Sequence, residues 1–357
     1  MQKLKNFSAM SVAMAFAAAL VANPGLAKPS DNSAQSATAT SSTNYANSSA
    51  SGDMTMEQLR ALPREVAPLT VPLKAQFVRF FAGKRRVYVP SFSLMITQSG
   101  AASAYSGGSG SSDNARQSEI QTTLSGVTDD LGVSLADEAY RDLVTRIQQA
   151  GYEVVTTPPP GSPAPIGTTA RSFSGQPVYG PRNAPLTPGM PWLKLGGNTG
   201  TAFNSLVARG NPAGEDLIVL MPGMGIDYED MQSSGRHVYG STAEVGTRLR
   251  FHIMGFSGAF FALHSPQPYN AYWNGSFLMA NGSGTDEPFA VMTQTGDKSD
   301  SRALHTGLAL LGVSSRFKVK KIYEVQAEPG RFAALTRAAF QGLNASLVEQ
   351  IRQAAAK

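Results

Sequence analysis

Apolar and polar residues change rhythm several times along this chain of 357 residues. Ala9 to Ala22 is an apolar run interrupted only by Ser11, behind a basic start at Lys3 and Lys5. Arg86 to Thr97 carries strand-like residues around Val87-Tyr88-Val89-Pro90-Ser91-Phe92-Ser93-Leu94, and Ser118 to Val127 alternates through Ile120, Thr122 and Leu124. Period-two alternation predicts strands, and the Gly/Ser/Ala run Gly100 to Ser112 between them predicts a long β-hairpin. Asp137 to Ala150 shifts to helical spacing at Tyr140, Leu143, Val144 and Ile147. Ser134 and Asp137 stand at capping-box spacing, and Gly151 is placed for a left-handed C-terminal turn. Tyr152 to Val155 then reads as a short buried strand.

The same reading extends to both ends. Thr55 to Leu62 predicts a short helix, with Thr55 and Gln58 at capping-box spacing and Pro63 as its stop. Phe203 to Arg209 predicts another. Asp216 to Met221 is a buried strand, Leu-Ile-Val-Leu, closed by Pro222-Gly223. Thr247 to Ala262 and Ser276 to Thr295 read as strands, the second broken at Asn281-Gly282-Ser283-Gly284, and Phe317 to Gln326 as a late one. Glu328-Pro329 opens a last helix, whose face is Phe332, Leu335, Ala339, Leu343, Leu347 and Ile351. The expected fold class is α/β or α+β: a mixed sheet with β-hairpin extensions and flanking helices.

Composition divides the chain. Residues 1–27, ending in Gly25-Leu26-Ala27, have the charge, apolar run and small-residue site of a bacterial secretory signal peptide, with Lys28 as the expected first mature residue. Residues 28–53 contain no Leu, Ile, Val or Phe and are rich in Ser and Thr, so they are expected to be a disordered linker. Residues 54–156 form the expected α/β unit with its hairpin. Residues 157–192 hold 10 of the 22 prolines and read as an excursion without regular elements. Residues 193–357 are a β-rich second half closing with the helix, expected to share one fold with 54–156.

Charge and cysteine content narrow the partners. The net charge of +5 falls to +3 without Lys3 and Lys5, and no extended Lys/Arg block exists, so no nucleic-acid partner is expected. With no cysteine there are no disulfides, no thiolate metal sites and no lipidation site at the cleavage point. After the signal no apolar run is long enough for a transmembrane helix. Membrane-inserted hairpins leave a weaker trace and stay open as an alternative.

Candidate chemistry is sparse. Gly255-Phe256-Ser257-Gly258 approaches a nucleophile elbow but has Ala259 where the second glycine belongs, so a glycine-kinked strand is the favoured reading of Ser257. The four histidines, His237, His252, His264 and His305, form no close ligand pair. Asp227, Glu229 and Asp230 follow the Gly223-Met224-Gly225 turn and are the only metal candidates, with a solvated acidic loop as the favoured reading. Lys74, Arg79, Lys84, Arg85 and Arg86 surround Phe77, Phe80 and Phe81. On one helical face these would make a contact for an anionic membrane surface or polysaccharide, against the simpler reading of aromatics in the core. No cofactor is expected.

The strand Arg85-Arg86-Val87-Tyr88-Val89-Pro90-Ser91-Phe92 and the helix Asp137 to Ala150 running into Gly151-Tyr152-Glu153-Val154-Val155 carry one resemblance. Together, over about residues 85–155, they resemble the periplasmic α/β domain of curli-secretion-type envelope assembly proteins. The resemblance implies an exported envelope component. It carries no functional residue over, and the lipidated cysteine of that family has no counterpart here.

The first functional expectation is therefore a non-enzymatic cell-envelope protein, periplasmic or outer-membrane-associated, acting as a component of an outer-membrane or export assembly with envelope proteins or copies of itself. The second is an envelope-acting hydrolase built on Ser257, the histidines and carboxylates. The third is a carbohydrate- or lipid-binding module presenting Trp192, Tyr269, Tyr272 and Trp273.

Overall fold

A computed structural model describes residues 54–75, 85–106, 116–193, 217–235, 243–262, 277–279, 283–300 and 317–355. All of them belong to one compact unit, Asn44–Lys357. The expected signal peptide, the linker and the helix Phe203 to Arg209 lie outside the described residues.

Strand β9 (Leu217–Gly235) organises the molecule. On one side it pairs antiparallel with β10 (Ala243–Ala262) along nearly its whole length. On the other it pairs in parallel with β2 (Arg86–Tyr88) at Leu217–Val219 and with β3 (Ser93–Ile96) at Gly223–Ile226. The strand thus runs straight through Pro222-Gly223 rather than closing there. Pro222 falls in the gap between the two parallel partners, where its missing N–H interrupts neither ladder. Gly223 is required by close approach: a Cβ would collide with Ser93 and Pro191.

The eight-stranded sheet continues as β12-β10-β9-β3-β8-β7, with β6 (Glu153–Val155) beside β2. Strands β7 (Thr169–Arg171), β8 (Pro177–Tyr179) and β12 (Gly284–Thr285) complete it. A separate two-stranded pair joins β1 (Leu73–Ala75) to β11 (Phe277–Met279).

The first half of β9 is buried on both faces, which explains its unbroken apolar run. Ile218 and Leu220 face the main core with Phe92, Leu94 and the helices. Leu217, Val219 and Met221 face a second core with Tyr88, Met95, Val178, Leu186 and Met190. The Pro-rich stretch provides that second layer. It contains two short strands, contrary to expectation, and Val178 and Tyr179 of β8 are fully buried. Proline fits because Pro177 is the first residue of β8 and lies outside its ladder with β3.

The other face is covered by α2 (Asp129–Gln149) and by a long C-terminal helix, here α3 (Pro329–Ala355). Helix α2 starts earlier than its Ser134/Asp137 pattern suggests: Thr128 is the N-cap, and its side chain accepts from the Leu131 N–H at 3.3 Å. Gly132 disguises this first turn in the sequence. It is there because the Tyr179 ring lies where its Cβ would be. Gly151, with φ of 88°, ends the helix as expected. Leu135, Ala139, Leu143 and Ile147 meet Phe332, Leu335, Ala339, Leu343 and Leu347 in the main core. Arg337 binds Glu138 through two hydrogen bonds of 2.6 and 3.0 Å, and Asn344 donates to the Ala139 carbonyl and to Asp142. The short first helix, α1 (Met56–Ala61), has the expected capping box between Thr55 and Gln58.

A second, four-stranded sheet has the order β13-β14-β5-β4. Here β4 (Ser99–Ser106) and β5 (Arg116–Ser125) form an antiparallel hairpin, so the Gly/Ser-rich run itself supplies a strand. The hairpin partner of β5 is this run, not the 86–97 strand, which is split into β2 and β3 in the other sheet. Strand β14 (Phe317–Ala327) lies parallel to β5 and antiparallel to β13 (Ala290–Asp297). The result is an α/β-type fold with mixed sheets, hairpin extensions and flanking helices.

Candidate functional site

Asp227, Glu229 and Asp230 lie within β9, not in a solvated loop. Antiparallel pairing puts Glu229 opposite Leu249 and Asp227 opposite His252. Two residues of β10, Arg250 and Phe251, therefore face the single Tyr228, and the ladder bulges there. This is also where the chain running from β3 into β4 leaves the eight-stranded sheet for the four-stranded one. The Thr97 N–H still donates to the Ile226 carbonyl at 3.0 Å, while the next residue's carbonyl, that of Gln98, accepts from the Leu124 N–H at 2.8 Å.

Thr122 of β5 reaches the bulge from the second sheet. Its Oγ1 lies 2.8 Å from the Tyr228 hydroxyl and donates to Glu229 Oε2 at 2.5 Å. A threonine has one hydroxyl proton, so the arrangement is a chain: Tyr228 donates to Thr122, and Thr122 donates to Glu229. Tyr228 is fully buried and Glu229 is 6% exposed. The cations next along β10, Arg248 and Arg250, turn instead to Asp286, at 2.8 and 3.7 Å.

Burial without a cation disfavours the charged form of a carboxyl. Glu229 is pushed up to about 7, chiefly by burial and further by the charge of Asp227, against the opposing hydrogen bond from Thr122. Asp227 is also raised by burial; His252 and its hydrogen bonds, one from the Tyr228 N–H at 2.8 Å, oppose the rise. Burial likewise raises the Tyr228 hydroxyl. Among the described residues no group of three His, Asp or Glu side chains is arranged to hold a metal ion. Buried Glu229 and half-buried Asp227 instead form a hydrogen-bonded cluster at the crossing of two sheets. Sequence reasoning singled out Asp227 and Glu229 but missed Thr122, Tyr228 and His252 as their partners.

The other candidates do not converge on this cluster. Ser257 lies in the run of β10 opposite Gly223, so its backbone has no strand-to-helix turn of the kind an elbow requires. His252 is half-buried, with Nδ1 3.3 Å from the Arg250 carbonyl. His237, His264 and His305 lie outside the described residues. Lys74 sits in β1 and Arg86 in β2, strands of two different sheets, so the basic stretch is not one helical face at its ends. Arg86 pairs with Glu153 at 3.3 Å and Arg85 is exposed; Arg79 and Lys84 lie outside the described residues.

Trp192 is half-buried, in a left-handed backbone conformation with φ of 70°. Its indole N–H is buried without a partner, and its ring approaches Gly225 beside Met95 and Met254. Tyr269, Tyr272 and Trp273 lie outside the described residues. An open cleft of about 190 Å³ between α2 and α3 is lined by Arg146, Gln149, Val348, Glu349 and Arg352. Its two arginines are paired with Asp142 and Glu349 on their own helices. No helix among the described residues is long and apolar enough to cross a membrane. In comparisons with known proteins, no family model, curated protein or solved structure matches the chain.

Proposed function

We propose that this chain is a non-enzymatic cell-envelope protein that works as a component of a self-associating assembly in the periplasm or at the outer membrane. One observation carries the reading: the outer part of the β9–β10 ribbon is bonded into no wider sheet among the described residues. Met231–Gly235 and Ala243–Thr247 form five residue pairs and, among the described residues, pair with no other strand. At about 3.4 Å per residue this outer part is roughly 17 Å long. Both its edges carry backbone donors and acceptors that a strand of another chain can complete. The resemblance of residues 85–155 to envelope assembly proteins and the signal-like first 27 residues point the same way.

The test is the mass of the full-length protein extracted from host envelopes in mild detergent, measured by light scattering. The expected result is an oligomer whose mature chain begins at Lys28. Replacing residues 231–247 with an Asn-Gly turn should give a monomer that still unfolds cooperatively and keeps its helical circular dichroism signal. A wild-type monomer, or an oligomer indifferent to ribbon length, overturns the reading.

A further inference from the structure

We propose that the Tyr228–Thr122–Glu229 chain is a proton-operated latch, holding the β9–β10 ribbon against the four-stranded sheet while Glu229 is neutral and releasing it when Glu229 ionises. The ribbon and β5 come from different sheets, and Thr122 is the polar tie between them at this point, bonded to two successive residues of β9. A neutral carboxyl accepts the Thr122 hydroxyl and leaves no charge in the core. An ionised one places a carboxylate beside Asp227 with no cation paired to it among the described residues, and moving the ribbon outward hydrates it.

The groups facing Glu229 from each packed element set the direction. From β9 itself, Asp227 opposes ionisation. From β10 come His252, which acts on Asp227, and Arg248 and Arg250, both paired to Asp286. From the β3–β4 junction, Thr97 hydrogen-bonds Asp227. On β5, Glu119 stands on the opposite face from Thr122 and is bound by Lys318 and Lys320 of β14 at 3.0 and 2.7 Å, so it does not compete. The bulge at Tyr228 supplies the hinge, because the ladder is already interrupted there.

The sign follows from the two states. In the latched state the Glu229 carboxyl is pushed up to about 7; released into water it returns to its ordinary 4.5. Latching is therefore fully favoured below about pH 4.5, weakens as pH rises, and levels off above about 7. Across that window the opening equilibrium grows by roughly a hundredfold or more. The latch is intramolecular, so it stands or falls separately from self-association.

Hydrogen exchange of the full chain between pH 5 and 8.5, corrected for intrinsic exchange, is the test. Amides of residues 120–123, 227–230 and 249–253 should lose protection as pH rises to about 7 and then stay level. Glu229→Gln, and Glu229→Met as an apolar alternative, should each show protection that does not change between pH 5 and 8.5. His252→Gln should retain the wild-type transition, since Glu229 and not its histidine neighbour is the switch. Flat wild-type protection, a transition that survives both Glu229 substitutions, or one that disappears in His252→Gln overturns the proposal.

Discussion

Strand β9 carries Leu217–Met221 between two apolar layers and, further along, Asp227–Asp230 against the four-stranded sheet. The first stretch is held by area: its five side chains are at most 2% exposed, and their neighbours are aliphatic, aromatic or methionine. The second is held by direction: one threonine hydroxyl must point at one carboxyl and accept from one tyrosine. Apolar burial is indifferent to pH and tolerant of small shifts. A buried polar chain is neither, because a donor or acceptor left without its partner costs more than the bond contributed. One continuous backbone thus joins a fixed base to a conditional middle.

Three substitutions sharpen or break this contrast. Leu220→Ala removes a fully buried side chain from the main core and should cost about 2–5 kcal/mol. The loss should be the same by urea titration at pH 5 and pH 8; a strong difference would mean that the base shares the middle's dependence on protonation. Thr122→Val keeps the shape but strands the Tyr228 hydroxyl and Glu229, for an expected loss of about 1–3 kcal/mol at pH 5. If its melting temperature at pH 5 matches wild type, the tie between the sheets is not energetic. Arg248→Ala removes an exposed pairing with Asp286 from the same ribbon and should change stability by less than about 0.5 kcal/mol at either pH. A larger effect would show that the ribbon's outer charges also hold it down.

The apolar half was legible because four consecutive aliphatic residues mean burial whatever the neighbours are. The final helix was legible for a related reason: Phe332, Leu335, Ala339, Leu343, Leu347 and Ile351 repeat on one face, and all six are buried. The acidic cluster was not. Asp227, Glu229 and Asp230 read as solvated because charge normally means water, and what buries Glu229 includes a threonine more than a hundred residues earlier. The one local signal was continued alternation, Ile226 and Tyr228 across from Leu249, Phe251 and Ile253, which marks a strand running past the glycines. The sequence points to the wrong arm of the hairpin because Gly and Ser normally mark turns, whereas here they form β4 itself. In β4 small side chains are tolerated where the strand packs close to the β9–β10 ribbon. The early turn of α2 was hidden by Gly132, whose helical penalty is outweighed by the Tyr179 ring packed against it.

The parallel pairing of β14 with β5 joins segments about 200 residues apart, from Phe317 beside Arg116 to Gln326 beside Ser125. Such contacts are slow to form, since a long loop must close before any hydrogen bond rewards it. During synthesis β5 can pair with β4 at once, yet its other edge stays open until residues 317–327 arrive. For that interval a half-built sheet presents an unsatisfied strand next to Leu124, a surface prone to joining neighbouring chains. The molecule's period of greatest exposure to misassembly is therefore set by its own topology, and a chaperone would act most usefully on chains whose translation has passed β5 but not β14.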